Sequence, residues 1–258
     1  MCAHSVSGHP APPPPTAAAT APRPAQASRR PRGSRAAAVR LLASLLLAGA
    51  LAYSTWVTEV FLSTGLSPRV AYVSELAAED QPYGTFFRAA DLLAGLLVLV
   101  AAAGALAWLP RRGRWTTAGL AGIALFAVAT AADSRLPLSC AATSDTGCLA
   151  RVRAGAAPWT HSAHAVSSGV AVTGMLAGMV LLTVAARRDT GTRQPLAGTG
   201  AALVVLLELA ATCWTLAAIA AFEAGRGTWG LGIAQRLQVL FIAVWLVVLA
   251  RSTAAERR

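Results

Sequence analysis

Six long apolar runs constrain this chain more than any other feature. They occupy residues 41–62, 86–109, 115–132, 161–186, 196–222 and 230–250, and each is near the ~20 residues a helix needs to cross the hydrocarbon core of a bilayer. None alternates apolar with polar residues, so strand spans are excluded and each run is expected to be a helix. Composition agrees, with 55% of residues hydrophobic and 13% charged against roughly a quarter charged in soluble domains. The expected fold class is therefore all-α, a polytopic six-transmembrane-helix up-and-down bundle. Its short connections are expected to make sequential helices antiparallel neighbours.

A net charge of +11 would ordinarily raise nucleic acid as a partner, but the placement of the arginines argues against it. Six lie before the first run (Arg23, Arg29, Arg30, Arg32, Arg35, Arg40). Three more lie in each of the sets Arg111, Arg112, Arg114; Arg187, Arg188, Arg193; and Arg251, Arg257, Arg258. These fall in alternate connections, as the positive-inside rule requires. The others (Arg69, Arg88, Arg135, Arg151, Arg153, Arg226, Arg236) share the opposite side with acids that balance them. The expected partner is the lipid bilayer. Both termini are expected to be cytoplasmic in a bacterial plasma membrane, with loops 1, 3 and 5 outside. The absence of Lys and Asn reads as codon bias of a GC-rich bacterial genome.

Residues 1–38, rich in Pro, Ala, Ser and Arg, are too poor in large apolar side chains to offset their ordering entropy and are expected to be a disordered tail. His4, His9 and Cys2 fall in it as bystanders. Residues 39–250 form the membrane domain and 251–258 a short basic tail. The first run also resembles a signal peptide, with Ala50-Leu51-Ala52 before Tyr53, but its apolar character continues through Trp56, Val57, Val60 and Phe61, so an uncleaved span is expected.

Polar chemistry gathers around loop 3. Asp133 ends the third run, Cys140 and Cys148 follow, and His161 and His164 open the fourth. In an outward loop the two cysteines are expected to pair, and closing so short a loop stabilises by roughly 2–3 kcal/mol on the chain-entropy model. Cys213, in mid-helix, reads as a small packing residue. Arg88 and Asp91 share one face of the second helix, His161 and His164 one face of the fourth. Arg236 lies just over one turn into the sixth and Glu59 one turn from the end of the first. Five helices thus carry polar groups to one depth, either as a structural network or as a site. In the structural reading Arg88 pairs with Asp91, Asp133 with Arg236, and His164 donates to a backbone carbonyl. Glu208 stands apart near the midplane of the fifth helix, where a neutral, hydrogen-bonded acid is expected.

No cofactor is expected. Zinc is the alternative, with Asp133, His161 and His164 as ligands and Asp91 or Glu75 as a fourth, although two histidines three apart make a poorer clamp than two four apart. Ser74, Ser134, Ser162 and Ser168 offer hydroxyls, none in a Gly-x-Ser-x-Gly context. There is no phosphate-binding loop, dinucleotide fingerprint or haem-attachment motif.

The order Ser74-Glu75-Leu76, Phe87-Arg88-Ala89-Ala90-Asp91, Asp133, Leu136-Pro137-Leu138-Ser139-Cys140, Cys148, Arg151, Trp159 and His161-Ser162-Ala163-His164 resembles the bacterial integral membrane proteins of domain-of-unknown-function family 998. The likeness covers about residues 38–250. It implies a multi-helix membrane protein and supplies no activity. A more distant likeness is to membrane hydrolases that include alkaline ceramidases and the progestin and adiponectin receptors. Those imply seven helices and a zinc on three histidines, whereas this chain has six runs and two membrane histidines.

The function expected is that of a non-enzymatic sensor, binding or accessory protein. Its outward-facing polar pocket, built from Arg88, Asp91, Asp133, His161, His164 and Arg236, would take a lipid headgroup or small molecule. The alternative is a metal-dependent hydrolase acting on a lipid amide or ester. A proton-coupled transporter using Glu208 ranks last, because no Pro breaks any run.

Overall fold

Each uninterrupted apolar run becomes a helix. In the computed structural model the described residues are Met1, Ala3, Gly8, 32–108, 113–189 and 194–255. They contain α1 (Arg32–Tyr53), α2 (Gly84–Trp108), α3 (Gly113–Asp133), α4 (Thr146–Arg153), α5 (Trp159–Arg188), α6 (Thr199–Glu223) and α7 (Leu231–Ala255). Tighter 3-10 turns occupy Thr55–Phe61, Val73–Ala77 and Pro195–Ala197, and no strand occurs among the described residues. All the α-helices except α4 are long and apolar enough to cross a membrane, the first together with its 3-10 continuation as Ser34–Phe61. The fold is a six-span helical membrane bundle. The chain divides into two units, Met1–Pro31 and Arg32–Arg258, and the bundle is the second.

Three features stand out beside the sequence reading. Residues 32–38, expected to lack structure, belong to α1, because Ala36, Ala37 and Ala38 are the strongest helix formers and run straight into the apolar stretch. Loop 3 holds a helix of its own, α4, capped by Asp145, whose Oδ1 accepts from Gly147 N–H at 2.8 Å. The first part of the basic tail, Arg251–Ala255, continues α7. His4, His9, Cys2, Arg111, Arg112, Arg193, Arg257 and Arg258 lie outside the described residues.

The neighbour relations are those of an up-and-down bundle with one exception. α1 packs on α2, α2 on α3, α3 on α5, and α6 on α7, while α5 and α6 touch far less and α7 returns to pack along α1. The 3-10 turn Pro195–Ala197 fits between α5, α6 and α7, and Leu196 N–H donates to Ser252 Oγ at 2.9 Å. The tightest pair, α3 with α5, is permitted by small residues. A Cβ on Gly122 would stand 2.8 Å from the carbonyl oxygen of Gly174, and one on Gly174 would stand 2.8 Å from the amide of Phe126. Glycines spaced in this way let helix backbones approach closely in lipid, where packing rather than a hydrophobic drive holds helices together. The core between the helices is filled by Ile123, Phe126, Met175, Met179, Trp245 and Leu246. Leu47, Leu51, Leu93, Leu96, Val166, Leu203, Leu206 and Leu216 remain exposed, as lipid-facing positions must.

One end of the bundle carries Arg114, Arg187, Arg188 and Arg251, with the Arg114 and Arg188 guanidiniums 5.2 and 5.0 Å from the Trp115 ring centre. The other, the cysteine end, is covered by loop 1. Leu76, Ala77 and Phe87 form a small core there, with Trp56, Leu62, Leu66, Val73 and Tyr83 packed around it. Loop 1 lies directly on α7, since a Cβ on Gly232 would meet Ala71 O at 2.7 Å. Val73 N–H donates to Gln235 Oε1 at 2.5 Å and Gly232 N–H to Arg69 O at 3.2 Å. The fully buried Glu75 ties loop 1 to loop 3. It accepts from Thr143 N–H at 2.8 Å, from the Thr143 hydroxyl, and from Tyr72 N–H at 3.1 Å. Burial pushes the Glu75 carboxyl above its ordinary range. Those hydrogen bonds pull it partly back, and the Asp80 charge adds to the rise.

Candidate functional site

The site begins where α1 changes its winding. Ser54 Oγ donates to Ala50 O at 2.8 Å, and Thr55 Oγ1 to Ala52 O at 2.7 Å. Hydroxyls that bond back to carbonyls compete with the helical ladder, and here the chain tightens into the 3-10 turn Thr55–Phe61. That turn brings Thr55 and Trp56 to the wall of a cavity of about 100 Å³, together with Tyr53, Ser74, Phe87 and Thr130. The remaining polar lining is Asp91 from α2, Asp133 from α3, Ser168 from α5 and Gln235 from α7. A single water needs roughly 10–15 Å³ measured in this way, so the space admits a small group.

The two carboxylates differ in their surroundings. Asp133 accepts from the hydroxyls of Ser167 and Ser168, the latter at 2.6 Å, and stands 3.1 Å from His164 Nδ1. Asp91 is half-buried and lies at the cavity wall. It has no hydrogen-bond partner among the described residues. The indole N–H of Trp56 is also buried without an acceptor.

The histidines serve mainly to hold loop 3. His164, 8% exposed, lies with Nδ1 2.9 Å from Leu136 O. A carbonyl only accepts, so that nitrogen carries the proton. His161 does the reverse: Ser139 N–H donates to its Nδ1 at 3.3 Å, with Ser139 Oγ at 3.1 Å. The pair thus grips the Leu136–Ser139 stretch that leads into Cys140, which is joined to Cys148 by a disulfide. Ser168 Oγ lies 3.4 Å from His164 Nε2 but 2.6 Å from Asp133 Oδ2. Its proton therefore goes to the carboxylate, an arrangement that satisfies Asp133 and does not activate Ser168 as a nucleophile.

Of the six residues expected to build the pocket, the structure brings only Asp91 and Asp133 to the cavity wall, with His164 behind Asp133. Arg88 does not pair with Asp91. Its guanidinium donates to Ala77 O at 2.7 Å, Ala78 O at 3.3 Å and Thr85 Oγ1 at 3.0 Å, because a side chain in the first turns of a helix leans toward the N-terminus and here meets loop 1. Arg236 does not latch to Asp133. It forms a two-pronged pair with Glu59 at 2.6 Å on each prong and donates to Ala71 O and Gly232 O at 2.9 and 3.0 Å, because α7 packs along α1. His161 is turned to Ser139. The zinc set Asp133, His161 and His164, with Asp91 or Glu75, does not converge, and no group of three or more metal-binding side chains is assembled among the described residues.

Tyr53, Trp56, Thr130 and Gln235 line the site although the sequence pattern assigns none of them to it, and Ser168, legible only as one of several hydroxyls, lines it too. The signals were slight: Ser168 lies four residues after His164, on the same face, and Gln235 adjoins Arg236. Cys213 is exposed, not packed, because α6 lies mainly against α7. Glu208 is fully buried. Its Oε1 accepts from Thr212 Oγ1 at 3.2 Å, and that hydroxyl accepts from Gln238 on α7 at 2.8 Å.

Neither a curated protein nor a solved structure matches the chain. The family described as Protein of unknown function (DUF998) matches residues 46–252, a stretch that reaches from α1 to α7 through every long helix between them. The chain belongs to that family.

Proposed function

We propose that this multi-pass membrane protein is a non-enzymatic binding or sensor component whose cavity at the cysteine end takes up a small polar ligand or a lipid headgroup. The arginine distribution supports placing that end outside the cytoplasm of a bacterial plasma membrane, with both termini inside. The single observation that carries the reading is the cavity of about 100 Å³ at which the carboxyl group of Asp91 has no hydrogen-bond partner among the described residues. Intramembrane acids normally find a partner or mark a ligand path. Satisfied Ser168 and unassembled metal ligands direct the reading toward binding.

Two measurements test it. A membrane-impermeant maleimide should label Thr64→Cys in intact cells, and labelling only after lysis would place the cavity on the cytoplasmic side. Native mass spectrometry of the purified protein should find a retained small molecule or lipid that is lost when Ala90→Leu fills the cavity. Equal retention by both proteins would overturn the reading.

A further inference from the structure

We infer that the ligand of this cavity carries a positive charge, as a short-chain ammonium group of the ethanolamine or choline type, held by Asp91. The inference rests on the binding reading above and adds the chemistry of what binds. Two carboxylates, Asp91 and Asp133, line the cavity, and no Arg, Lys or His among the described residues does. Arg88 on α2 and Arg236 on α7, two helices that line it, are engaged elsewhere, Arg88 by the carbonyls of Ala77 and Ala78 and Arg236 by Glu59 and Ala71. Asp133 accepts from the hydroxyls of Ser167 and Ser168, with His164 Nδ1 3.1 Å away, whereas Asp91 has no donor among the described residues.

A carboxylate placed at membrane depth with no donor beside it either stays neutral or awaits a cation. The walls favour the cation, because the rings of Tyr53, Trp56 and Phe87 line the same space and aromatic faces attract ammonium groups. Ser74 and Thr130 add hydroxyl oxygens able to accept from ammonium N–H groups. An anion would meet two carboxylates and no opposite charge, and a neutral ligand could give Asp91 a hydrogen bond but no countercharge. The volume restricts the bound part to a short chain, supplied either by a phospholipid headgroup or by a free amine.

The test uses the full chain in nanodiscs of phosphatidylglycerol, titrated calorimetrically with choline, ethanolamine, inorganic phosphate and 3,3-dimethylbutan-1-ol, the uncharged isostere of choline. One of the two ammonium compounds should bind at least tenfold more tightly than the isostere and than phosphate. Asp91→Asn should remove that preference, and Asp91→Glu should retain part of it. Asp91→Asn keeps the side-chain size, and its unfolding temperature reports whether the fold survives. Adding phosphatidylethanolamine to the nanodiscs separates the sources. Competition with free ethanolamine identifies the headgroup, and its absence identifies the soluble amine. Equal binding of the isostere, tighter binding of phosphate, or an unchanged preference in a folded Asp91→Asn would overturn the ammonium assignment and leave the pocket standing. No heat with any probe, together with nothing retained by the native protein, would overturn both.

Discussion

Two polar assemblies sit at the cysteine end of this bundle, and they have opposite characters. Between α1 and α7, Glu59 and Arg236 are both buried, joined on two prongs and completed by Ala71 O and Gly232 O. Between α2, α3 and α5, Asp91 and Asp133 face a cavity with no cationic side chain of the described residues on its wall. The first assembly is closed, since its charges answer one another and its donors reach loop 1. The second is open. In a membrane bundle this difference separates a fastening from a site: a closed pair needs nothing further to be stable, whereas an open one retains a group whose cost in the empty protein is offset only when something arrives.

The largest expected effect comes from breaking the closed assembly. Arg236→Ala leaves the Glu59 carboxylate buried and alone, and unfolding in detergent should show a loss of about 3–5 kcal/mol. Replacing both partners, Glu59→Leu with Arg236→Met, should restore most of it, because the charge left behind and not the lost attraction carries the penalty. A double variant as unstable as the single one would mean that the pair also holds loop 1 in place.

Removing the disulfide with Cys140→Ser and Cys148→Ser should cost about 2–3 kcal/mol on the chain-entropy model. Amide exchange should rise locally over residues 134–145, next to the open site, and stay unchanged around Glu59 and Arg236. Uniform acceleration would show that the two assemblies do not behave independently.

Glu75, which fastens loop 1 to loop 3, gives a pH signature. Its folded-state pKa is raised above the ordinary value of 4.5, so the folded protein holds this proton more tightly than the unfolded chain does. The stability it confers is complete below that ordinary value and falls as pH rises through the folded pKa. Glu75→Gln should flatten that fall while costing about 1–3 kcal/mol, because one oxygen that accepts from Thr143 or Tyr72 becomes a donor. An unaltered pH profile in Glu75→Gln would assign the titration to another group.

Asp91→Asn should have the smallest effect on stability, within about 1 kcal/mol and on the stabilising side, since no protein contact of its carboxylate is lost. Thermal unfolding of the empty protein measures this. A large loss would reveal a hidden partner and remove the contrast between the open and closed assemblies.

Much of the fold was legible because a span announces itself by length and hydropathy, and because Asp91, Asp133 and the paired histidines are rare residues in such surroundings. Partner choice was not legible. Arg88 and Asp91 share a helix face, yet the long Arg88 side chain leans back into loop 1. Glu59 and Asp133 both lie near the same end of the bundle, and nothing in their spacing says which will meet Arg236. Trp56 and Thr55 enter the site through a change of winding that a run of small hydroxyl residues only hinted at. The tautomers of His161 and His164 depend on Ser139 and Leu136, which an irregular loop delivers.

The sequence by itself determined the number of long apolar helices, their approximate limits and which ionisable residues lie near the ends of the spans. These follow from properties each segment has alone, since hydrocarbon requires a backbone satisfied within the helix over a fixed thickness. Only the tertiary structure decided that α7 returns along α1 and leaves α3 to face the cavity. That choice depends on how side chains of different helices fit, including the glycines that draw α3 against α5. It gave Arg236 to Glu59 and left Asp91 without a partner.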